Sequence, residues 1–276
     1  MRRGITIVVT VLVALLASCG TLPSARAQEQ RPGPIAAPQP DVRRISPNKL
    51  PDPPPIPAEE IIREFAKKED EFARARASYS YRKNVRIVEL GEDGKANGEF
   101  QITTEPSTGA DGKRYEKIIA QPNSTLKRMR LAPEDLDLFA RIPPFPFTTE
   151  NLPQYEITYA GKQPVDELNT YVFRIKPRQL ERARAYFEGL VWVDDHDLAI
   201  VKSYGKWVTE TGSVTAAAEA PFALFETYRE FVDGKYWFPN YSRSDASIQT
   251  KNGEVGIRLV IRWQDYKPEA TKQPQP

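Results

Sequence analysis

The stretch 186-YFEGLVWVDDHDLAIVKSYGKWV-208 decides the fold. Apolar residues alternate with polar or small ones on either side of Asp194-Asp195-His196-Asp197, and Asp and His tolerate the backbone angles of a turn. The stretch predicts a hairpin with strands over Tyr186–Val193 and Leu198–Val208. The same four residues hold the chain's single histidine, which leaves a second reading, a metal or acid–base site. One histidine without a second ligand group nearby falls short of a transition-metal constellation, and no oxygen-rich calcium loop with its glycine follows.

Outward from this hairpin the period-2 pattern runs through most of the chain. Asp93-Gly94, Asp111-Gly112, Asp233-Gly234 and Asn252-Gly253 each stand between alternating runs and suit the positive φ of tight turns. Eight further strands are expected at Tyr79–Leu90, Glu99–Thr104, Arg114–Ala120, Tyr155–Tyr159, Thr170–Ile175, Phe222–Val232, Lys235–Ser242 and Val255–Tyr266. Along them one face is apolar: Tyr79, Tyr81, Val85 and Ile87; Tyr171, Phe173 and Ile175; Leu190 and Trp192; Leu198 and Ile200; Ile257, Leu259, Ile261 and Trp263. Their neighbours include Arg82, Arg86, Arg174, Arg258 and Arg262, so the other face is wet.

Only one long helix is available to cover that apolar face. Over Ala58–Arg76, Ile61, Ile62, Phe65, Phe72 and Ala73 fall on one side, with Glu59, Glu60 and Glu64 early and Arg74 and Arg76 late, as the helix dipole favours. A helix of this length cannot shield ten strands, so the sheet curls on itself or encloses something. The fold class expected is mainly β, an α+β arrangement in which a curved antiparallel sheet forms an unclosed barrel. The alternative is a closed ten-stranded barrel filled by its own side chains. A second, short helix is expected at Pro133–Arg141, with Leu136 and Phe139 facing inward. It is followed by the proline-stiffened IPPFPFTTENLP, Ile142–Pro153. This segment is either a lid over a cavity or a plug that completes the core.

Ahead of the folded domain, Arg2 and Arg3 precede the apolar run Ile5–Ala17, which is too short to span a bilayer and reads as a signal peptide. Two cuts are open. Leu16-Ala17-Ser18-Cys19 matches a lipobox, making residues 1–18 the signal and Cys19 the lipidated N-terminus. Ala25-Arg26-Ala27 offers a cut after residue 27. Residues 19–57 form a linker whose prolines crowd from Arg31 to Pro57, a semi-rigid spacer. The domain then covers residues 58–267, with a disordered tail at 268–276.

Composition narrows the chemistry. A chain starting at Cys19 carries 37 Lys+Arg against 37 Asp+Glu, so nothing recommends nucleic acid. Cys19 is the only cysteine, so the domain holds no disulfide and no thiolate. The nucleophile-elbow, phosphate-loop and HExxH patterns are absent, and the expectation is no catalytic residue, no metal and no cofactor. Lys176–Ala185, KPRQLERARA, reads as a solvated loop or a contact for phosphate head groups.

The order of a helix, a Tyr-rich strand, hairpins and a middle helix after TLKRMRLAPEDL, then YVFRIKPR, YFEGLVWVDDHDLAIVKSYGKWV and FETYREFVDGKYWFPNYSRSD, resembles the outer-membrane lipoprotein-sorting proteins of the LolA/LolB-like group. The resemblance covers Ala58 to about Lys267. It implies an unclosed antiparallel barrel covered by helices around an apolar cavity for the acyl chains of lipoproteins or other lipids. On that basis Tyr81, Ile87, Phe173, Trp192, Ile200, Leu259 and Trp263 are expected to line the cavity, with Leu136 and Phe139 on its lid. The protein is expected to be a monomeric carrier or receptor in the periplasm-facing envelope, and Gly20 beside Cys19 suggests an outer-membrane anchor. An envelope sensor or scaffold of the same fold, and a hydrolase, are the alternatives.

Overall fold

The computed structural model describes residues 53–109, 113–131, 147–181, 184–209, 224–250 and 253–269. Both signal cuts and Cys19, the linker before residue 53, the Asp111-Gly112 turn, Asn252, the helix carrying Leu136 and Phe139, and residues 270–276 lie outside the described residues. No helix among the described residues is long and apolar enough to cross a membrane.

Helix α1 spans Ala58–Arg76, opening after Pro57 with Glu59 and Glu60 in its first turn and closing with Arg74 and Arg76 in its last. Its buried stripe is Ile61, Phe65, Ala66, Glu69, Phe72 and Ala75. Ala73, expected on that stripe, is exposed, because the stripe follows the three-and-four spacing through Glu69. Glu69 is buried there only because Arg229 meets it with two hydrogen bonds, at 2.5 and 3.1 Å. Arg229 also lies over the Phe72 ring, 4.8 Å from its centroid.

Ten strands follow: β1 Tyr79–Leu90, β2 Ala96–Thr108, β3 Arg114–Ser124, β4 Tyr155–Val165, β5 Leu168–Pro177, β6 Ala185–Asp194, β7 Ile200–Thr209, β8 Leu224–Val232, β9 Tyr236–Thr250 and β10 Gly253–Pro268. They form one antiparallel sheet in the order β3-β2-β1-β10-β9-β8-β7-β6-β5-β4. Two meanders, β1–β3 and β4–β10, are joined where β1 pairs with β10 from Tyr79↔Pro268 to Leu90↔Gly256. β3 and β4 are edges rather than partners, so the sheet is unclosed and the closed-barrel alternative falls.

The turns follow their chemistry. Asp233 and Gly234 have φ of 53° and 62°, the double positive φ of a type I′ hairpin, and Gly94 and Gly253 sit at 73° and 97°. Asp166, between β4 and β5, also takes a positive φ of 50°. The β6–β7 hairpin departs from expectation. β6 ends at Asp194, β7 starts at Ile200, and Leu198, expected in a strand, closes the turn at φ 52°.

Candidate functional site

The inner face of the sheet is the one against which α1 packs. One row of cross-strand partners traverses it: Ile102, Val85, Ile261, Ser242, Thr227, Ser203, Val191, Phe173. The ends are apolar and the middle is three buried hydroxyls, with Thr227 and Ser242 hydrogen-bonded to each other at 2.9 Å. The inner face carries an apolar patch at each end of this row, and a third cluster, Phe72, Ala75, Tyr79, Val232 and Phe238, lies under the C-terminal half of α1.

The first lies under α1. Ile61 and Phe65 pack with Phe173, Ile175, Phe187, Val191, Val193 and Ile200. Phe65 meets Phe173 edge-on at 5.9 Å. Gly189 and Gly205 are paired across β6 and β7, and the Phe187 ring lies over both; a Cβ on Gly205 would come within 2.4 Å of that ring. Glycine at these positions is thus a packing requirement.

The second patch belongs to β1, β2 and β10: Tyr81, Val85, Ile87, Phe100, Ile102, Leu259, Ile261 and Trp263. Leu126, Met129 and Leu131, from the chain that follows β3, pack against it. That strap is held by one carboxylate. Glu89, wholly buried at the end of the inward series Val85-Ile87-Glu89, accepts the backbone N–H of Lys127 at 2.9 Å, of Arg128 at 2.8 Å and of Met129 at 2.7 Å. Gly98, opposite Glu89 on β2, lets the strap approach, since a Cβ there would lie 2.6 Å from the Thr125 carbonyl oxygen. Arg128 adds a hydrogen bond to the Glu254 carbonyl at 3.1 Å.

Beside this patch, a cleft of 340 Å³ opens between the last turn of α1 and β2–β3. Ala73, Ala77, Tyr81 and Pro106 contribute to its walls, and Arg76, Arg114, Tyr115 and Glu116 bring its polar groups. The Tyr81 hydroxyl donates to Glu116 at 2.8 Å and the Thr104 hydroxyl donates to the other oxygen of Glu116 at 2.7 Å. Arg114 donates to the carbonyls of Ala77 and Tyr79 and pairs with Glu269 at 3.1 Å, answering the exposed carbonyl end of α1. Lys83 is buried on the same inward parity, and burial pushes its ammonium below the ordinary lysine range, against the pull of Glu116. Burial likewise raises the Tyr81 phenol.

The seven residues expected to share one cavity are all buried but do not come together. Tyr81, Ile87, Leu259 and Trp263 share the strap-covered patch. Phe173 and Ile200 lie beneath α1. Trp192 is on the opposite face, because it pairs with Val172 while Phe173 pairs with Val191. There it packs with Leu190, Val172 and Val201, its indole N–H donates to Gln163 at 2.9 Å, and Lys202 lies 4.8 Å over its ring. The run Leu190-Val191-Trp192-Val193 is apolar at every position, so its parity cannot be read by alternation. The residues missed, Arg76, Lys83, Glu89 and Glu116, had one legible signal: Lys83 and Glu89 are charges at inward positions of β1.

Asp194, His196 and Asp197 bring ligand-type atoms within 4.8 Å of one another. Their geometry is that of the hairpin. Asp194 Oδ2 accepts the N–H of His196 at 3.2 Å and of Asp197 at 2.7 Å, and Asp197 Oδ2 accepts the Trp237 indole N–H at 3.1 Å. His196 Nδ1 lies 2.9 Å from Asp197 Oδ1, and the carboxylate raises the imidazole's pKa.

No protein-family model matches the sequence, and no curated protein matches it. Solved structures do match. A DUF1329 family protein from Desulfovibrio piger is 13% identical, covering 78% of this chain and 94% of its own, with a TM-score of 0.36. A LolA superfamily protein from Nitrosomonas europaea is 16% identical over 78% and 94%, with a TM-score of 0.35. A putative outer membrane lipoprotein-sorting protein domain from Vibrio parahaemolyticus is 12% identical over 75% and 94%, with a TM-score of 0.32.

Proposed function

We propose that this protein binds the acyl chains of lipoproteins or other lipids without transforming them, on the inner face of β1, β2 and β10. It acts as a carrier or membrane-tethered receptor in the bacterial envelope, with Cys19 as the lipidated anchor on the outer membrane and the proline-rich linker as its spacer. The observation that carries the reading is the second apolar patch. Tyr81, Ile87, Leu259 and Trp263 are closed over by a strap of backbone, and one carboxylate holds that strap. Lifting the strap exposes an apolar surface while leaving the α1-covered core intact. Each buried methylene of an acyl chain contributes about 0.8 kcal/mol, so one chain offsets the loss of three apolar strap contacts. Phe173 and Ile200 belong to the core in this reading, and Leu136 and Phe139 remain the proposed lid.

Mass spectrometry of what co-purifies with the chain, expressed in a bacterium with its signal intact, tests this. Bound lipid or acylated peptide, together with a diacylated N-terminal peptide at Cys19, is the expected result. Preparations that are repeatedly empty and also refuse a fluorescent fatty acyl probe would overturn the binding reading. An unlabelled N-terminus at Gln28 would overturn the tether alone.

A further inference from the structure

We infer that the cleft at the C-terminal end of α1 receives a singly charged oxyanion, a carboxylate or a phosphate diester, borne as the head of the amphiphile whose chain lies on the neighbouring patch. The inference rests on the lipid-binding reading and adds to it the charge of the ligand's head.

Three observations carry it. First, the cleft and the apolar patch share a wall. Tyr81 belongs to the patch with Val85, Ile87 and Trp263 and also lines the 340 Å³ cleft, so a chain on the patch can place its head in the cleft. Second, the cleft's cations are unequal. Arg114 is committed to two carbonyls and Glu269, whereas Arg76, whose positive charge acts on the Tyr81 phenol, has no carboxylate among the described residues within ion-pair distance. Third, the cleft's own carboxylate is occupied, since the two oxygens of Glu116 accept the Tyr81 and Thr104 hydroxyls. A planar guanidinium over an open cleft, between small apolar walls at Ala73 and Ala77, suits an incoming oxyanion. The buried Lys83 strengthens the fit. Its ammonium is disfavoured by burial, favoured by Glu116 and disfavoured by Arg76, and an anion arriving beside Arg76 offsets that last repulsion.

Isothermal titration of the full chain at mildly alkaline pH tests the head group. Oleate and monoolein carry the same chain with a charged and an uncharged head, and acetate and inorganic phosphate supply the anion without a chain. Oleate is expected to bind about tenfold tighter than monoolein, as a charge-assisted hydrogen bond implies. Arg76→Gln should remove that preference by weakening oleate about tenfold more than monoolein, while Arg76→Lys should keep most of it. Arg76 is half-buried at the helix end, and an unchanged near-ultraviolet circular dichroism spectrum checks that the variants fold. Equal binding of the two amphiphiles by the wild type, or equal weakening of both by Arg76→Gln, overturns the head-group inference and leaves the lipid reading standing. Arg76-dependent binding of acetate or phosphate with neither amphiphile bound overturns the lipid reading and keeps the anion site. Binding of none of the four overturns both.

Discussion

Beneath α1 the inner face is closed by interlocking side chains. Phe65 abuts Phe173, Phe187 lies across two glycines, and Glu69 reaches Arg229 through the middle of the stripe. Across β1, β2 and β10 the same face is closed by a run of backbone that one buried carboxylate grips through three N–H groups. Interdigitated packing is lost only cooperatively, whereas a strap held by a polar clasp can open locally at the cost of a few hydrogen bonds. The difference teaches where the proposed ligand would enter: the half whose cover is separable from the core.

The sharpest way to break this contrast is to place the same charge in each half. Ile200→Glu buries an unpaired carboxylate under α1 and is expected to cost about 4 kcal/mol or more, abolishing the cooperative urea transition. Trp263→Glu, at the edge of the strap-covered patch, should keep a cooperative transition and lose binding of a fatty acyl probe. If Ile200→Glu folds normally and Trp263→Glu does not, the assignment of core and site is inverted.

Next in size is the α1 anchor. Arg229→Ala leaves Glu69 buried without its partner, an expected loss of about 3–5 kcal/mol in denaturant stability. The double variant Glu69→Leu/Arg229→Met should recover most of it, because the desolvation of both charges disappears with the pair. A double variant no more stable than the single one would show that the pair's geometry is not what fixes the helix.

Glu89→Gln sharpens the comparison from the other side. The neutral amide replaces a carboxylate that accepts three N–H groups, and the expected cost is about 1–3 kcal/mol. It should be accompanied by faster hydrogen exchange at Lys127, Arg128 and Met129 and faster uptake of an acyl probe, with the β6–β7 amides unchanged. Exchange that speeds up equally in both halves would mean that the strap does not open on its own.

Much of this contrast was legible before any coordinates, and the part that was not has physical causes. α1 and β1 begin and end where the pattern places them, because a helical stripe and a strict alternation are local signals. β9 runs on to Thr250, past the Ser242 at which its apolar pattern stops, since β10 pairs with it as far as Gly253↔Thr250 and the register carries the polar residues along. Trp192 fell on the wrong face because its neighbours are apolar on both sides. Glu89 and Lys83 were visible as charges in inward positions, but their partners, the strap N–H groups and Glu116, come from 33 or more residues away in sequence and are set by tertiary approach.

The smallest effect expected concerns the turn that closes the α1-covered half. His196 is exposed, and its hydrogen bond to Asp197 and the carboxylate's charge raise its pKa above the ordinary 6.5. The imidazolium in turn lowers Asp197, which also accepts the Trp237 indole N–H. The raised histidine favours the folded turn fully below the unfolded value of 6.5, and that contribution is lost as pH rises through the higher folded value. The lowered aspartate favours it above the unfolded value of 3.8, and that contribution is lost as pH falls through the folded one. The pair is therefore worth most between those limits, on the acid side of neutrality. As the chain has one histidine, its imidazole carbon resonance reports the titration without ambiguity. The midpoint should lie above 6.5 and drop toward it in Asp197→Asn, with shifts confined to the β6–β7 turn and Trp237 and none at the Glu89 strap. A wild-type midpoint at or below 6.5 would remove the ion pair from the turn, and a response at the strap would show that the two halves are coupled.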